Sequence, residues 1–146
     1  MSKTQVAIGC DHAGFMIKAS IIRRLEKMDY LVHDFGTFST DSTDYPDYVH
    51  PGAAMVDKGE AKFAVFICGS GNGVSMTANK YQNVRAALCW KVDLASLARQ
   101  HNNANVLCIP QRFVSKKMAM NMVDAFFSTE FEGGRHERRV NKISCC

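Results

Sequence analysis

The sequence lacks several patterns that mark familiar classes of protein. No two of its six cysteines have the Cys-x-x-Cys spacing of zinc ribbons and thioredoxin-like redox sites. No apolar run approaches the ~20 residues that a membrane-spanning helix needs, and the opening "MSKTQV" has no apolar core of a secretion signal. We therefore expect a reduced, cytoplasmic protein with no membrane partner. The terminal Cys145 and Cys146 have no predicted role.

Charge and metal-binding patterns are equally sparse. Eighteen Lys and Arg residues stand against fourteen Asp and Glu residues, a net charge of +4, and no block of like charge suggests a nucleic-acid partner. Asp41, Asp44 and Asp47 recur in one polar segment, but not with the spacing of a calcium-binding loop. Pairs of the types His-x-His and His-Glu-x-x-His are absent. We expect no nucleic acid, metal ion or cofactor.

Short apolar runs alternate with helical patterns along the 146 residues, a length typical of one domain. This alternation predicts a single α/β domain, residues 1–146, with a five-stranded parallel sheet. The predicted strands are Thr4–Gly9, Tyr30–Phe35, Phe63–Cys68, Val84–Trp90 and Asn105–Pro110. Helices are predicted at 15–28, 51–59, 92–101 and 114–127, and a polar loop is predicted over 35–48. The glycine pair Gly133 and Gly134 is expected to end one helix. A last, basic helix is predicted at about 134–144.

The stretch "FAVFICGSGNGVSMTANK" ends an apolar strand on Cys68 and continues with a glycine at every second position. Dinucleotide-binding and cysteine-phosphatase loops need another residue where Val74 stands, and a P-loop needs Gly-Lys-Ser/Thr. What remains is a thiol beside backbone N–H groups, which attract anions and stabilise oxygen that becomes negative in a reaction. The following helix N-terminus favours a thiolate, which can remove a proton next to a carbonyl. In the plainer alternative, Cys68 is a buried strand end and the glycines only form a turn.

Further candidate residues follow other strands of the predicted sheet. Asp11 and His12 come directly after the first strand, where a carboxylate can bind hydroxyls and an imidazole can bind phosphate. Arg112 follows the fifth strand. Ligands bind at the carboxyl ends of the strands in such folds, so these residues are expected near Cys68. Taken alone, an Asp that caps a helix and a surface His are the plainer interpretation.

Two other candidates lie on helices. His101 and Asn102 close a helix that is expected to end at the opposite edge of the sheet, where they could serve a neighbouring subunit, and His101 can act as an acid or base near neutral pH. Arg135 and Arg139 are four residues apart on the last helix and share a face suited to phosphate. The plainer alternatives are a histidine that favours a helix C-terminus and a solvated basic face.

Five motifs together resemble one family. The motifs "GCDHAGF", "TDYPDY", "CGSGNGVSMTANK", "RQHNNANVL" and "EGGRHERRV" appear in the order and spacing of type B ribose-5-phosphate isomerase, in the family that also holds bacterial galactose-6-phosphate isomerase. The resemblance covers the chain from Val6 to about Ile143. It implies a Rossmann-like three-layer α/β/α sandwich. It also implies a homodimer or a dimer of dimers, with each active site built from two subunits.

The resemblance also implies a reaction and a role for individual residues. The expected reaction is the metal-independent interconversion of ribose 5-phosphate and ribulose 5-phosphate in the pentose phosphate pathway. Cys68 matches the base that moves a proton between C1 and C2, His101 the group that opens the furanose ring, and Ser70 a hydroxyl that relays a proton. The matching substrate contacts are Gly69, Ser70, Gly71, Asn72 and Gly73 for the enediolate, Asp11 for a sugar hydroxyl, Asn102 for the substrate, and His12, Arg112, Arg135 and Arg139 for the phosphate.

Some alternatives remain open from the sequence. One branch of the family has a glutamate in place of Val74 as its base, so the thiol of Cys68 stands alone here, and Ser70 replaces a threonine common in the cysteine branch. The substrate could be a six-carbon sugar phosphate such as galactose 6-phosphate or allose 6-phosphate. The chain could also be a non-catalytic binder of a nucleotide or phosphosugar, although the presence of both Cys68 and His101 favours an enzyme.

Overall fold

A computed structural model describes residues 2–144, and Cys145 and Cys146 therefore lie outside the described part of the chain. Within it, five parallel strands form one sheet in the order β2-β1-β3-β5-β4. The strands are β1 Gln5–Cys10, β2 Leu31–Asp34, β3 Phe63–Cys68, β4 Ala86–Leu88 and β5 Val106–Pro110. The helices are α1 Phe15–Lys27, α2 Tyr45–Asp57, α3 Asn72–Ala78, α4 Val92–Asn102, α5 Lys116–Ser128 and α6 Arg135–Val140.

Helices cover both faces of the sheet, which confirms the expected three-layer architecture. The alternation of side chains along β3 shows how the faces separate: Val65 and Ile67 pack toward α1, α4 and α5, whereas Phe66 and Cys68 pack toward α2 and α3. All six residues of β3 are buried, as expected of a central parallel strand that is covered on both sides. Cys68 thus ends the central strand on the α2 and α3 side.

The second helix differs from the sequence-based prediction. It begins at Tyr45 rather than at Pro51, so the predicted polar loop over 35–48 ends at Asp44, which precedes the helix in an extended conformation. Pro46 lies in the first turn, where a missing backbone N–H costs nothing, and Pro51 lies inside the helix on its exposed side. The prediction was wrong because only one of the two prolines can mark the helix start.

The C-terminal region also departs from the prediction. Helix α5 ends at Ser128, and the next residue is already extended, so the glycine pair does not end that helix. Gly133 and Gly134 instead form a turn with positive φ angles, +69° and +57°, in the loop that leads to α6. Helix α6 ends at Val140, short of the predicted 144, and it packs on α4. Within residues 2–144, no helix is long and apolar enough to span a bilayer.

The strand order decides which loops become neighbours. Strand β4 lies at the edge of the sheet, and β5 returns between β3 and β4. The loop that follows β3 therefore lies between the loop that follows β5 and the loop that follows β1. The carboxyl ends of β1, β3 and β5 form one edge of the sheet. The chain adds β2 on one side of β1 and β3 on the other, and parallel α/β sheets bind ligands in the crevice at such a change in strand order.

Candidate functional site

Cys68 ends β3 at this edge of the sheet, and its thiol accepts a hydrogen bond from its own loop. The backbone N–H of Gly71 donates a hydrogen bond to Cys68 Sγ at 3.2 Å, and the N–H of Asn72 donates to Ser70 Oγ at 3.3 Å. Cys68 is 4% exposed, whereas Ser70 is exposed. The loop thus holds a buried sulfur atom and an exposed hydroxyl two residues apart in the chain.

Gly71 has a conformation and surroundings that exclude other residues. Its φ angle is +76°, and it lies directly before the first residue of α3. A Cβ atom at this position would overlap Leu88 Cδ1 and lie 3.2 Å from the backbone nitrogen of Pro110. The turn that aims the Gly71 amide at Cys68 therefore depends on the absence of a side chain.

Substitution of Gly71 by alanine is expected to lower the free energy of unfolding more than the matched substitution Gly59→Ala. Gly59 has a similar φ of +78°, but no atom lies within 4 Å of the position of its Cβ. Gly59→Ala should therefore cost only the left-handed conformation, about 1–2 kcal/mol, and Gly71→Ala should add overlap that costs about 1–3 kcal/mol more. Urea unfolding measures both. Equal losses would show that the loop accommodates a side chain.

Arg112 lies beside the same loop, as the strand order requires. The N–H of Gln111 donates to the carbonyl of Cys68 at 2.9 Å, and the N–H of Arg112 donates to the carbonyl of Gly69 at 3.0 Å. The guanidinium of Arg112 lies against Gly69, 3.1 Å from the position that a Cβ would take there. A permanent positive charge is thereby held next to the glycine loop.

Asp11 and His12 form the other wall of the crevice. Asp11 is buried, and its Oδ1 accepts hydrogen bonds from the N–H groups of Ala13, at 2.9 Å, and Gly14, at 3.3 Å. The carboxylate thus stabilises the turn before α1, close to the plainer interpretation of this residue as a helix cap. His12 Nδ1 accepts a hydrogen bond from the N–H of Thr43 at 3.3 Å, which orients the ring.

Tyr45 is a residue of this crevice that the sequence analysis missed. Because α2 begins earlier than predicted, Tyr45 occupies its first turn, and its ring packs directly on Gly73. A Cβ at Gly73 would overlap that ring. The motif "TDYPDY" contained the only signal, since a proline directly after Tyr45 is typical of the first turn of a helix.

The remaining sequence candidates lie at the opposite edge of the sheet. Helix α4 begins near the carboxyl end of β4 and ends just before β5 begins, so His101 and Asn102 lie at the amino ends of the strands. Arg135 and Arg139 belong to α6, which packs against α4. The length of the five-residue strand β5, roughly 16 Å, separates these residues from Cys68. Within one chain, the predicted site residues therefore form two separate groups, one at each end of the strands.

His101 belongs to a cluster that sequence analysis did not foresee. Its ring stacks on that of His136, with centroids 4.2 Å apart, and Glu132 Oε1 lies 3.8 Å from His101 Nε2 and 3.5 Å from His136 Nε2. The pKa of the His136 imidazole is lowered from its ordinary value, chiefly by desolvation and then by nearby cationic groups. The four-residue spacing of Glu132 and His136 was the only signal in the sequence.

Comparison with known proteins assigns this arrangement to a family. A family model described as Ribose/Galactose Isomerase matches residues 6–143. The chain is also 42% identical to ribose-5-phosphate isomerase B of Escherichia coli strain K12, over 96% of this chain and 94% of that protein. The chain belongs to the ribose/galactose isomerase family. The resemblance of the five sequence motifs is thereby confirmed.

Solved structures of other ribose/galactose isomerases have the same fold. The ribose 5-phosphate isomerase of Thermotoga maritima is 45% identical and matches with a TM-score of 0.92 over 97% of each chain. Ribose-5-phosphate isomerase B from Mycoplasma genitalium, solved with bound ribulose-5-phosphate, is 41% identical and matches with a TM-score of 0.93 over 98% of this chain and 95% of that one.

Three other cysteines of this ribose/galactose isomerase are chemically inert by comparison. Burial raises the pKa of the Cys10 thiol to about 11 and that of Cys89 to about 12. Burial also raises the pKa of Cys108, strongly. These thiols stay protonated at neutral pH and serve as small apolar side chains. The sulfur of Cys68 accepts a hydrogen bond from the N–H of Gly71 within the glycine loop.

Proposed function

We propose that the protein is an aldose–ketose isomerase that interconverts D-ribose 5-phosphate and D-ribulose 5-phosphate in the pentose phosphate pathway. The observation that carries the proposal is the Cys68 sulfur at the end of β3. It accepts a hydrogen bond from the Gly71 amide, and Arg112 is hydrogen-bonded to the same loop at Gly69. The relatives that bear the name ribose-5-phosphate isomerase B, and the ribulose-5-phosphate bound in the Mycoplasma genitalium structure, support this substrate. A cytoplasmic location fits this metabolic role.

The chemistry requires a base on one face of the open-chain sugar. In the proposed reaction, the thiolate of Cys68 takes the proton from C2 of the aldehyde form, which leaves a cis-enediolate. The same proton is then delivered to C1, while Ser70, whose side chain is exposed, relays the hydroxyl proton from O2 to O1. Atoms and charge balance, and the base is regenerated in each turnover.

The loop after β3 suits the negative charge that the enediolate carries. Glycines at 69, 71 and 73 bring backbone close to the crevice, and the Gly71 amide would stabilise the thiolate before it reacts. Asp11 and His12 on the facing wall would contact a sugar hydroxyl and the phosphate. Arg112 adds a fixed positive charge to the same side, which would attract the anionic substrate.

The second group of residues would act on a substrate bound to another subunit. His101 would open the furanose ring, Asn102 would contact the sugar, and Arg135 and Arg139 would grip the phosphate. Because roughly the length of a strand separates His101 from Cys68 in one chain, the two can share a substrate only across an interface. We therefore include a homodimer, alone or paired into a dimer of dimers, in the proposal.

Exposed apolar side chains on one side of the molecule support such an interface. Trp90 after β4, Leu97 on α4 and Phe113 after β5 are 50%, 40% and 75% exposed. Trp90 precedes α4, Leu97 lies on α4, and Phe113 follows the neighbouring strand β5, so all three flank the helix that ends with His101 and Asn102. A second copy that packed on this side would bury these side chains and would bring its own His101 toward the crevice.

An assay of isomerisation with several substrates tests the proposal. The purified protein, in excess EDTA, is expected to form ribulose 5-phosphate from ribose 5-phosphate and to catalyse the reverse reaction. Unphosphorylated ribose should be converted far more slowly, because phosphate contacts remote from the reacting carbons position C2 against the base. Absence of turnover would indicate a non-catalytic binder, and activity only after metal is restored would contradict the thiol mechanism.

Galactose 6-phosphate and allose 6-phosphate serve as competing substrates in the same assay. A value of kcat/KM for either six-carbon sugar that exceeded the value for ribose 5-phosphate would overturn the substrate assignment but not the reaction class. We expect ribose 5-phosphate to have the largest value.

A further inference from the structure

His101, Glu132 and His136 lie close together because backbone contacts fix the segments that carry them. The N–H of Glu132 donates to the carbonyl of Gln100 at 3.0 Å, which ties the loop before α6 to the last turn of α4. The turn at Gly133 and Gly134, where both φ angles are positive, then brings the chain back, so that His136 lies next to the Glu132 carboxylate. The fold therefore holds the backbone of the three residues close together.

The three side chains have the composition and spacing of a metal site. One ligand atom from each lies within 4.8 Å of the others, and the Nε2 atoms of both imidazoles lie within 3.8 Å of the same oxygen, Glu132 Oε1. Two histidines and one carboxylate form a zinc-binding set that leaves a fourth position open. We propose that His101, Glu132 and His136 bind a single Zn²⁺ ion, and that bound zinc withholds His101 from the sugar.

The two nitrogen–oxygen separations are close to those between tetrahedral zinc ligands. Tetrahedral ligands with zinc bonds of 2.0–2.2 Å lie roughly 3.3–3.5 Å from one another, and the two nitrogen–oxygen distances are 3.5 and 3.8 Å. An octahedral ion with bonds of about 2.1 Å would need neighbouring ligands roughly 3.0 Å apart. Nitrogen ligands also exclude Mg²⁺, which prefers oxygen.

Zinc binding requires one change in the cluster. The two rings are nearly parallel, with an interplanar angle of 10°, so their nitrogen lone pairs do not yet converge on one point. The His101 side chain is 40% exposed and has room to tilt, whereas His136 is 12% exposed and would serve as the fixed ligand. Arg135 and Arg139 nearby oppose a cation, and Glu132 offsets part of their charge.

The two halves of the proposal depend on different premises. Binding of zinc follows from the geometry of the three side chains. The effect on the reaction rests on the proposed function, in which His101 opens the sugar ring, because zinc would occupy the Nε2 lone pair that an acid or base needs. A direct measurement of binding and a measurement of turnover therefore separate the two.

Calorimetric titration of the full chain with ZnCl₂ tests the binding. Thiols are the competing zinc ligands, so the titration uses Cys145→Ser/Cys146→Ser protein as its reference. We expect one equivalent of zinc per chain, no heat from MgCl₂, and affinity weakened at least about tenfold by Glu132→Gln or His136→Asn. With Co²⁺ as the probe, the absorption spectrum should lack the sulfur-to-cobalt charge-transfer band that ligation by Cys68 would produce. Absence of zinc binding, or binding that both variants retain, would overturn the site.

Zinc inhibition of ribose 5-phosphate turnover tests the second half. We expect one equivalent to suppress the reference protein and EDTA to restore it, while Glu132→Gln and His136→Asn lose sensitivity to zinc relative to their own zinc-free rates. If one equivalent bound with full occupancy and left turnover unchanged, the site would stand and the withdrawal of His101 from the reaction would be refuted.

Discussion

Replacement of Cys68 by alanine is expected to reduce kcat for ribose 5-phosphate by about a hundred- to ten-thousandfold, the range that a positioned acid or base contributes. The sulfur is the atom proposed to carry the proton between C1 and C2, and the methyl group of alanine cannot accept it. Steady-state assays in both directions measure the loss. Both directions should be affected equally, because the same proton transfer is common to them.

Binding should survive the same substitution. The proposed phosphate and hydroxyl contacts come from residues other than Cys68, so the Kd for ribulose 5-phosphate in a calorimetric titration should change by less than about tenfold. Cys89→Ala is the matched control, since it removes a thiol that burial keeps protonated, with a pKa of about 12, and should leave kcat nearly unchanged. A Cys68→Ala protein with more than a tenth of the normal kcat would refute the role of the thiol as base.

Mixed dimers are expected to show that each active site draws on two chains. A heterodimer of one Cys68→Ala chain and one His101→Ala chain should contain one intact site and one site with both defects, and should retain about half of the normal turnover per dimer. Each parent homodimer should be nearly inactive with ribose 5-phosphate. Two different affinity tags allow the heterodimer to be purified and assayed against its parents.

A second heterodimer gives the opposite result and serves as the control. When a wild-type chain is paired with a chain that carries both Cys68→Ala and His101→Ala, every shared site has one defect, so turnover should be nearly lost. If instead each chain held a complete site, this heterodimer would keep about half of the normal turnover and the first would have none. That outcome would contradict the separation of the two residue groups by the sheet.

Much of this fold follows from local patterns in the sequence. The continuous apolar run of β3 predicted a central parallel strand, and the observed strand Phe63–Cys68 has the predicted bounds. The predicted helix Val92–His101 differs from α4 by one residue. These elements were predictable because burial of both faces makes a central strand continuously apolar, and burial of one face gives a helix a period of 3.6 residues. The start of α2 was not, because two prolines offered alternative first turns.

The site divides in the same way between sequence and tertiary structure. The sequence alone determined that a thiol opens a glycine loop at the end of a strand, and that the motifs match one family. Only the tertiary structure decided that β5 lies next to β3, which places Arg112 beside Gly69, and that Glu132 joins His101 and His136. Strand order and loop packing arise from contacts between residues far apart in the chain, so they cannot be predicted from the periodicity of neighbouring residues. Whether two side chains share a site is therefore decided by the packing of the whole sheet and its helices.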